Sequence, residues 1–189
     1  MWTDKIKAVI MDEIEIKRTI SRLSHEILEK NSKDIDKLAL IGIRKKGVPL
    51  AYRLQKKINE IEKVEIPVGI IDITLYRDDI NNLKTPHVVH ETEIFLDVND
   101  KKIILVDDVL YTGRTVRCAI DELIDFGRPK AIQLVVLIDR GHREIPIKAD
   151  FIGKNLPTSY QEIVKVYLSE VDEMDKVVIY ERENNHAQE

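Results

Sequence analysis

Several kinds of residue are scarce in this sequence, and each scarcity removes a class of protein. There is one cysteine, Cys118, so an intrachain disulfide and a zinc site built from several cysteines are both excluded. No apolar run approaches the roughly 20 residues that a membrane-spanning helix needs. The opening stretch MWTDKIKAVIM has no apolar core of the kind found in a secretory leader, so a cytoplasmic protein with no membrane partner is expected. Charge of one sign is not in excess either. With 30 basic and 34 acidic residues the net charge is -4, which argues against a protein that coats nucleic acid indiscriminately but leaves room for a local basic patch.

What remains is 189 residues, 43% hydrophobic and 34% charged, with no internal repeat and no dividing linker, so one globular domain spanning 1–189 is expected. Ile16, Ile20, Leu23 and Ile27 recur at helical spacing and predict an amphipathic helix over 13–30, with Asp12 as N-cap. LALIGI at 38–43 reads as a short buried strand, and Pro49 lies in the first turn of a second helix. An extended stretch over 64–76 is followed by a polar, aperiodic region at 77–98, read as a long loop. A buried strand at 102–106, a helix at 113–126 and a second buried strand at 132–138 come next. Cys118 falls on that helix among Val116, Ala119 and Ile120, where a small buried apolar role is expected. After a loop-rich region at 140–159, strands are expected at 163–168 and 177–180. Alternating strands and helices with buried β-branched runs predict a mostly parallel central α/β sheet flanked by helices. In such sheets ligands bind beyond the carboxyl ends of the strands, so RKKG, DDVLYTGRT and DRGHR should converge on one crevice.

The stretch ILVDDVLYTGRT holds the chemistry. Thr112, Gly113, Arg114 and Thr115 form a strand-to-helix turn whose free N–H groups, hydroxyls and helix dipole favour a phosphate, and Gly113 lets the backbone come close. Taken alone, the turn suits a capped helix equally well. Asp107 and Asp108 change the balance, because adjacent carboxylates at a buried strand end call for Mg2+, sugar hydroxyls or a developing cation. Arg44, Lys45, Lys46 and Gly47 offer three cations and a glycine at another strand end, suited to a more highly charged anion.

A sugar phosphate, hydroxyls with Mg2+ and a diphosphate together describe phosphoribosyl diphosphate. IILVDDVLYTGRTVR resembles the phosphoribosyl-diphosphate motif of type I phosphoribosyltransferases. IGIRKKGVPLA, DITLYRDD, IQLVVLIDRGHREIPIKADFIGKNLPTS and VDEMDKVVIYE extend that resemblance, in order, over nearly the whole chain. They resemble the family that combines pyrimidine-operon attenuation with uracil phosphoribosyltransferase activity. The resemblance implies a type I phosphoribosyltransferase fold with a small hood, formed mainly by 139–180, and a flexible lid at 77–98. It implies that Tyr111 to Thr115 hold the 5-phosphate, that Asp107 and Asp108 face the ribose and Mg2+, and that Arg77 of the lid joins them in catalysis. Arg44 to Gly47 become the diphosphate loop, with a non-proline cis peptide expected near Arg44 and Lys45. The family usually has Thr-Arg where this chain has Lys45 and Lys46, a departure that exchanges a bidentate fork for a point charge. Ile138, Asp139, Arg140 and Lys154 are candidate walls for uracil, and His142 is expected to have a structural role in the hood.

The same resemblance implies binding of the operon's leader mRNA, promoted by uridine nucleotides such as UMP and UTP. Arg18, Arg22 and His25 follow each other at helical spacing on the first helix, a pattern that is otherwise an ordinary solvated face. With Ser21, Lys30, Arg143, Lys148 and Lys154 they match the family's RNA-facing positions, though Ser21 is usually Thr and Lys30 and Lys148 are often Arg. A homodimer or homotetramer is also implied. Two other readings stay open: a purely metabolic transferase for uracil or a purine base, and a regulator with vestigial catalysis.

Overall fold

The computed structural model describes residues 4–73 and 92–182. In chain order these form β1 (Asp4–Met11), α1 (Glu13–Asn31), a 3-10 turn (Ile35–Lys37), β2 (Leu38–Ile43), α2 (Gly47–Glu62) and β3 (Val68–Ile71). Then follow β4 (Lys102–Leu110), α3 (Arg114–Asp125), β5 (Ala131–Asp139), β6 (Phe151–Asn155), β7 (Glu162–Tyr167), the short α4 (Ser169–Asp172) and β8 (Lys176–Arg182). Arg77 and the rest of 74–91 lie outside the described residues, and with them most of the expected lid.

A five-stranded sheet in the order β3-β2-β4-β5-β6 forms the centre, and every neighbouring pair in it runs parallel. The middle strands are buried on both faces, which is why LALIGI reads as continuously apolar. One apolar cluster joins α1 and α2 to one face of the sheet, through Ile16, Leu23, Ile27 and Leu54. A second holds α3 against the other face through Val116, Ala119 and Leu123, and Cys118 lies within it as expected. The start of α1 is set by a capping box: Asp12 accepts from the Glu15 N–H at 2.8 Å, and Glu15 accepts from the Asp12 N–H at 3.0 Å.

The hood is a separate three-stranded antiparallel sheet in the order β1-β8-β7. β7 and most of β8 fall within the 139–180 segment expected to form most of the hood. The first strand of the chain supplies one edge of the hood, and β6, expected as loop, completes the central sheet instead. The described end of the 77–98 region is not free loop either. Glu93 exchanges two backbone hydrogen bonds of 2.9 Å with Ile70, and Val98 is buried.

Candidate active site

β4 is longer than its apolar core suggested and carries both aspartates within the strand, paired in register with β5 through Leu110 and Asp139. Asp107 is buried, 7% exposed, and its carboxylate accepts the Asp108 N–H at 2.9 Å. Asp108 is half-buried, and burial pushes the pKa of its carboxyl up. Hydrogen bonding with Asp107, the N–H groups of Val109 and Asp108 itself, and the nearby charge of Lys46 act against that rise.

The turn after β4 places Gly113 in the left-handed region, φ 93°, a conformation that glycine adopts without strain, and α3 starts at the next residue. The Arg114 N–H donates to Thr112 Oγ1 at 3.3 Å, while its guanidinium pairs with Glu144 at 2.7 Å on the surface. The Thr112 carbonyl accepts from the N–H groups of Glu144 and Ile145 at 3.0 and 3.1 Å, which fixes the turn against the segment after β5.

The cationic loop reaches the same place from β2. The Arg44–Lys45 peptide is cis, as expected. Gly47 begins α2 so close to β4 that a Cβ there would lie 2.2 Å from the Val106 carbonyl oxygen, next to the acidic pair. Both flanking cations are paired within the chain. Arg44 meets Glu93 at 3.0 Å and Asp72 at 3.8 Å, and Lys46 meets Asp172 of α4. RKKG and DDVLYTGRT therefore do converge.

The third segment, DRGHR, forms one side of a cavity of about 310 Å3 lined by Asp139, Arg140, Gly141, His142, Asn155, Pro157 and Thr158. Asn155, Pro157 and Thr158 escaped sequence reading because they reach the cavity through β6, itself expected as loop. Arg140 is a buried brace. It donates to Thr158 Oγ1 at 3.1 Å and to the Glu162 carbonyl at 2.8 Å, and it lies 4.1 Å over the Tyr111 ring. His142 holds Nε2 2.5 Å from the Thr158 carbonyl, with its ring beside Tyr160. Two expected wall residues stand apart from this cavity. Ile138 is fully buried in the core, and Lys154 is not among the lining residues but reaches the Ile10 carbonyl at 3.1 Å.

On the basic face, Arg18, Arg22, His25 and Lys30 are exposed along α1, with Ser21 half-buried among them. Arg22 donates to the carbonyls of Gly153 and Ile152 at 2.5 and 3.2 Å, which brings Lys154 of β6 beside the helix. Lys148 is exposed, and Lys30 pairs with Asp150 at 2.5 Å. Arg143 is half-buried. Its guanidinium turns inward to Asp139 and to the carbonyls of Tyr111 at 2.7 Å and Ile147 at 3.1 Å, bracing the turn after β4.

Two adjacent hard carboxylates fit Mg2+, an ion commonly held by one or two carboxylates together with substrate phosphate oxygens. Among the described residues there is no cluster of three or more His, Cys, Asp or Glu side chains placed to hold a metal, so such an ion would share substrate oxygens. Among the described residues no helix is long and apolar enough to cross a membrane.

A family model described as phosphoribosyl transferase domain matches residues 10–170. The chain is 58% identical over 173 residues to the Bifunctional protein PyrR of Acetivibrio thermocellus, covering 92% of this chain and 94% of that one. It is 53% identical over 178 residues to the protein of the same name from Deinococcus radiodurans, covering 94% and 97%. Among solved structures, the hypoxanthine phosphoribosyltransferase of Trypanosoma cruzi matches with a TM-score of 0.72 at 19% identity, over 94% of this chain and 98% of that one. That of Staphylococcus aureus matches with a TM-score of 0.68 at 21% identity, over 92% of each chain. These distant structures establish the type I phosphoribosyltransferase fold. The chain belongs to the phosphoribosyl transferase domain family and, within it, to the bifunctional PyrR proteins.

Proposed function

We propose that the protein converts uracil and phosphoribosyl diphosphate to UMP and diphosphate, and that it also binds the leader mRNA of the pyrimidine operon as a transcription attenuator responsive to uridine nucleotides. The observation that carries the enzymatic half is the packing of Gly47 against Val106, which sets a cationic loop beside Asp107 and Asp108 at the carboxyl ends of adjacent parallel strands.

In this reading the α3 start at Gly113 and the hydroxyls of Thr112 and Thr115 take the 5-phosphate, with Tyr111 and Arg114 at its edges. Asp107 and Asp108 orient the ribose hydroxyls and offset the positive charge that grows at C1 as its bond to diphosphate breaks. Bound Mg2+ would supply positive charge to the departing diphosphate. Arg44, Lys45 and Lys46 add to that charge, and Arg77 would join from the lid. The cavity of about 310 Å3 is at the small end for ligand sites, in keeping with a single-ring base read by Asp139 and backbone groups.

The RNA half rests on Arg18, Ser21, Arg22, His25, Lys30, Lys148 and Lys154, where exposed cations of α1 and β6 share one face. A homodimer or homotetramer would join two such faces into a longer basic surface. UMP formation from labelled uracil, run beside hypoxanthine and guanine, tests the enzyme; conversion of purines alone would overturn the choice of base. Filter binding of leader RNA with and without UMP tests the regulator, and equal retention of leader and scrambled RNA would refute it.

A further inference from the structure

We propose that Asp172 is a positioning residue for diphosphate recognition, holding the Lys46 ammonium in the crevice from the hood side. The inference rests on the reading of Lys46 as part of the diphosphate loop.

Lys46 stands immediately before α2, and its ammonium pairs with Asp172 Oδ2; each side chain keeps only about a fifth of its surface exposed, 20% and 23%. The same Asp172 oxygen accepts the Leu168 N–H at 2.8 Å, so the carboxylate is itself fixed. Burial alone would raise the Asp172 pKa, but the hydrogen bonds from Lys46 and Leu168 outweigh it and hold the carboxyl below its ordinary range.

The turn that carries Asp172 is clamped a second time to the helix that carries Lys46. Arg53 of α2 meets Glu170 at 2.6 Å, Asp175 at 2.7 Å and Ser169 Oγ at 3.0 Å, and Asp175 accepts the Ser169 N–H at 2.7 Å. The Tyr167 ring lies 5.8 Å from the Lys46 ammonium. The charge of Lys46 also acts on Asp108, lowering its pKa.

An ammonium has three donors on a flexible four-carbon stem, whereas a guanidinium is a planar fork that arrives oriented. Engaging one donor with Asp172 fixes the stem and leaves the others to meet phosphate oxygens. A lysine at this position therefore needs the external partner that Asp172 provides.

Asp172→Asn keeps the shape and an acceptor for Leu168 while removing the charge. Calorimetry with inorganic diphosphate is expected to show about tenfold weaker binding, the loss typical of one charge-assisted hydrogen bond. In UMP synthesis the KM for phosphoribosyl diphosphate should rise by a similar factor, with the KM for uracil unchanged. Arg53→Gln loosens the same turn but leaves the Lys46–Asp172 pair in place, and should lower the melting temperature with a clearly smaller loss of diphosphate binding than Asp172→Asn. Unchanged or tighter diphosphate binding by Asp172→Asn overturns the proposal, as does an Arg53→Gln variant that reproduces the whole shift. Should the wild-type protein bind diphosphate but make no UMP, weaker binding by Asp172→Asn still upholds the positioning role while the catalytic reading falls.

Discussion

Asp107 and Glu122 are both buried carboxylic acids, and their surroundings give them opposite uses. Asp107 faces the crevice, beside a neighbour whose carboxyl is crowded by burial. Asp107→Asn should cut UMP formation about a hundredfold or more while leaving the melting temperature close to wild type, because it removes charge where charge develops and alters no packing. Glu122 of α3 faces inward instead, accepting from Thr92 with one oxygen; the other is buried with no hydrogen-bond partner among the described residues. Burial, and after it the charge of Asp72, raise its pKa, with the Thr92 hydrogen bond acting against them. A raised folded-state pKa means that the native chain binds more protons than the unfolded one between the ordinary glutamate value of about 4.3 and the raised value. The stabilising contribution is therefore complete at low pH and is lost as pH rises through the raised value. Denaturant midpoints of Glu122→Gln should gain on wild type as pH is raised from about 4.3 toward neutrality. A constant difference across that range would show that burial does not perturb this carboxyl.

At the level of elements, the approach of α2 to β4 is the most demanding packing in the site. Gly47→Ala would drive a methyl group into the Val106 carbonyl, an overpacking that costs about 1–3 kcal/mol and moves the cationic loop off the acidic pair. Urea midpoints and UMP formation should fall together, whereas Asp107→Asn separates them. Elements with a strong local signal were legible in the sequence. α1 has a capping box and a clean apolar stripe, and β2, β4 and β5 are apolar runs, so the central sheet and its crevice could be located. β1 was not legible, because Lys5, Ile6, Lys7 and Val9 are all exposed and its partner β8 lies at the far end of the chain. β6 is five residues long, with a glycine and a lysine that resemble a turn, and α4 is only four residues long. What those elements deliver was hidden with them: the Asn155 side of the cavity and the carboxylate at Lys46. The partners of Arg143 were not legible for a related reason, since sequence shows a cation but not the carbonyls that claim it.

Considered as a whole, the molecule is mildly acidic at a net charge of -4 and still gathers exposed cations where α1 crosses β6. Binding that depends on phosphate contacts weakens with salt in proportion to the number of contacts. Arg18→Ala should weaken leader RNA binding at low salt and reduce the salt slope by about one, with UMP formation unchanged. An unaltered slope in a salt titration would remove Arg18 from the interface.

The pairing of β1 with β8 also has a consequence for the order in which the molecule can be made. During N-terminal-first synthesis the five strands of the central sheet are all present once residue 155 has emerged, whereas β1 must wait for residues 176–182. The nascent chain can thus assemble the acidic pair and the turn at Gly113 before it has the β1-β8-β7 sheet. Asp172 follows that sheet as well, so Lys46 meets its carboxylate only after the last central strand has emerged.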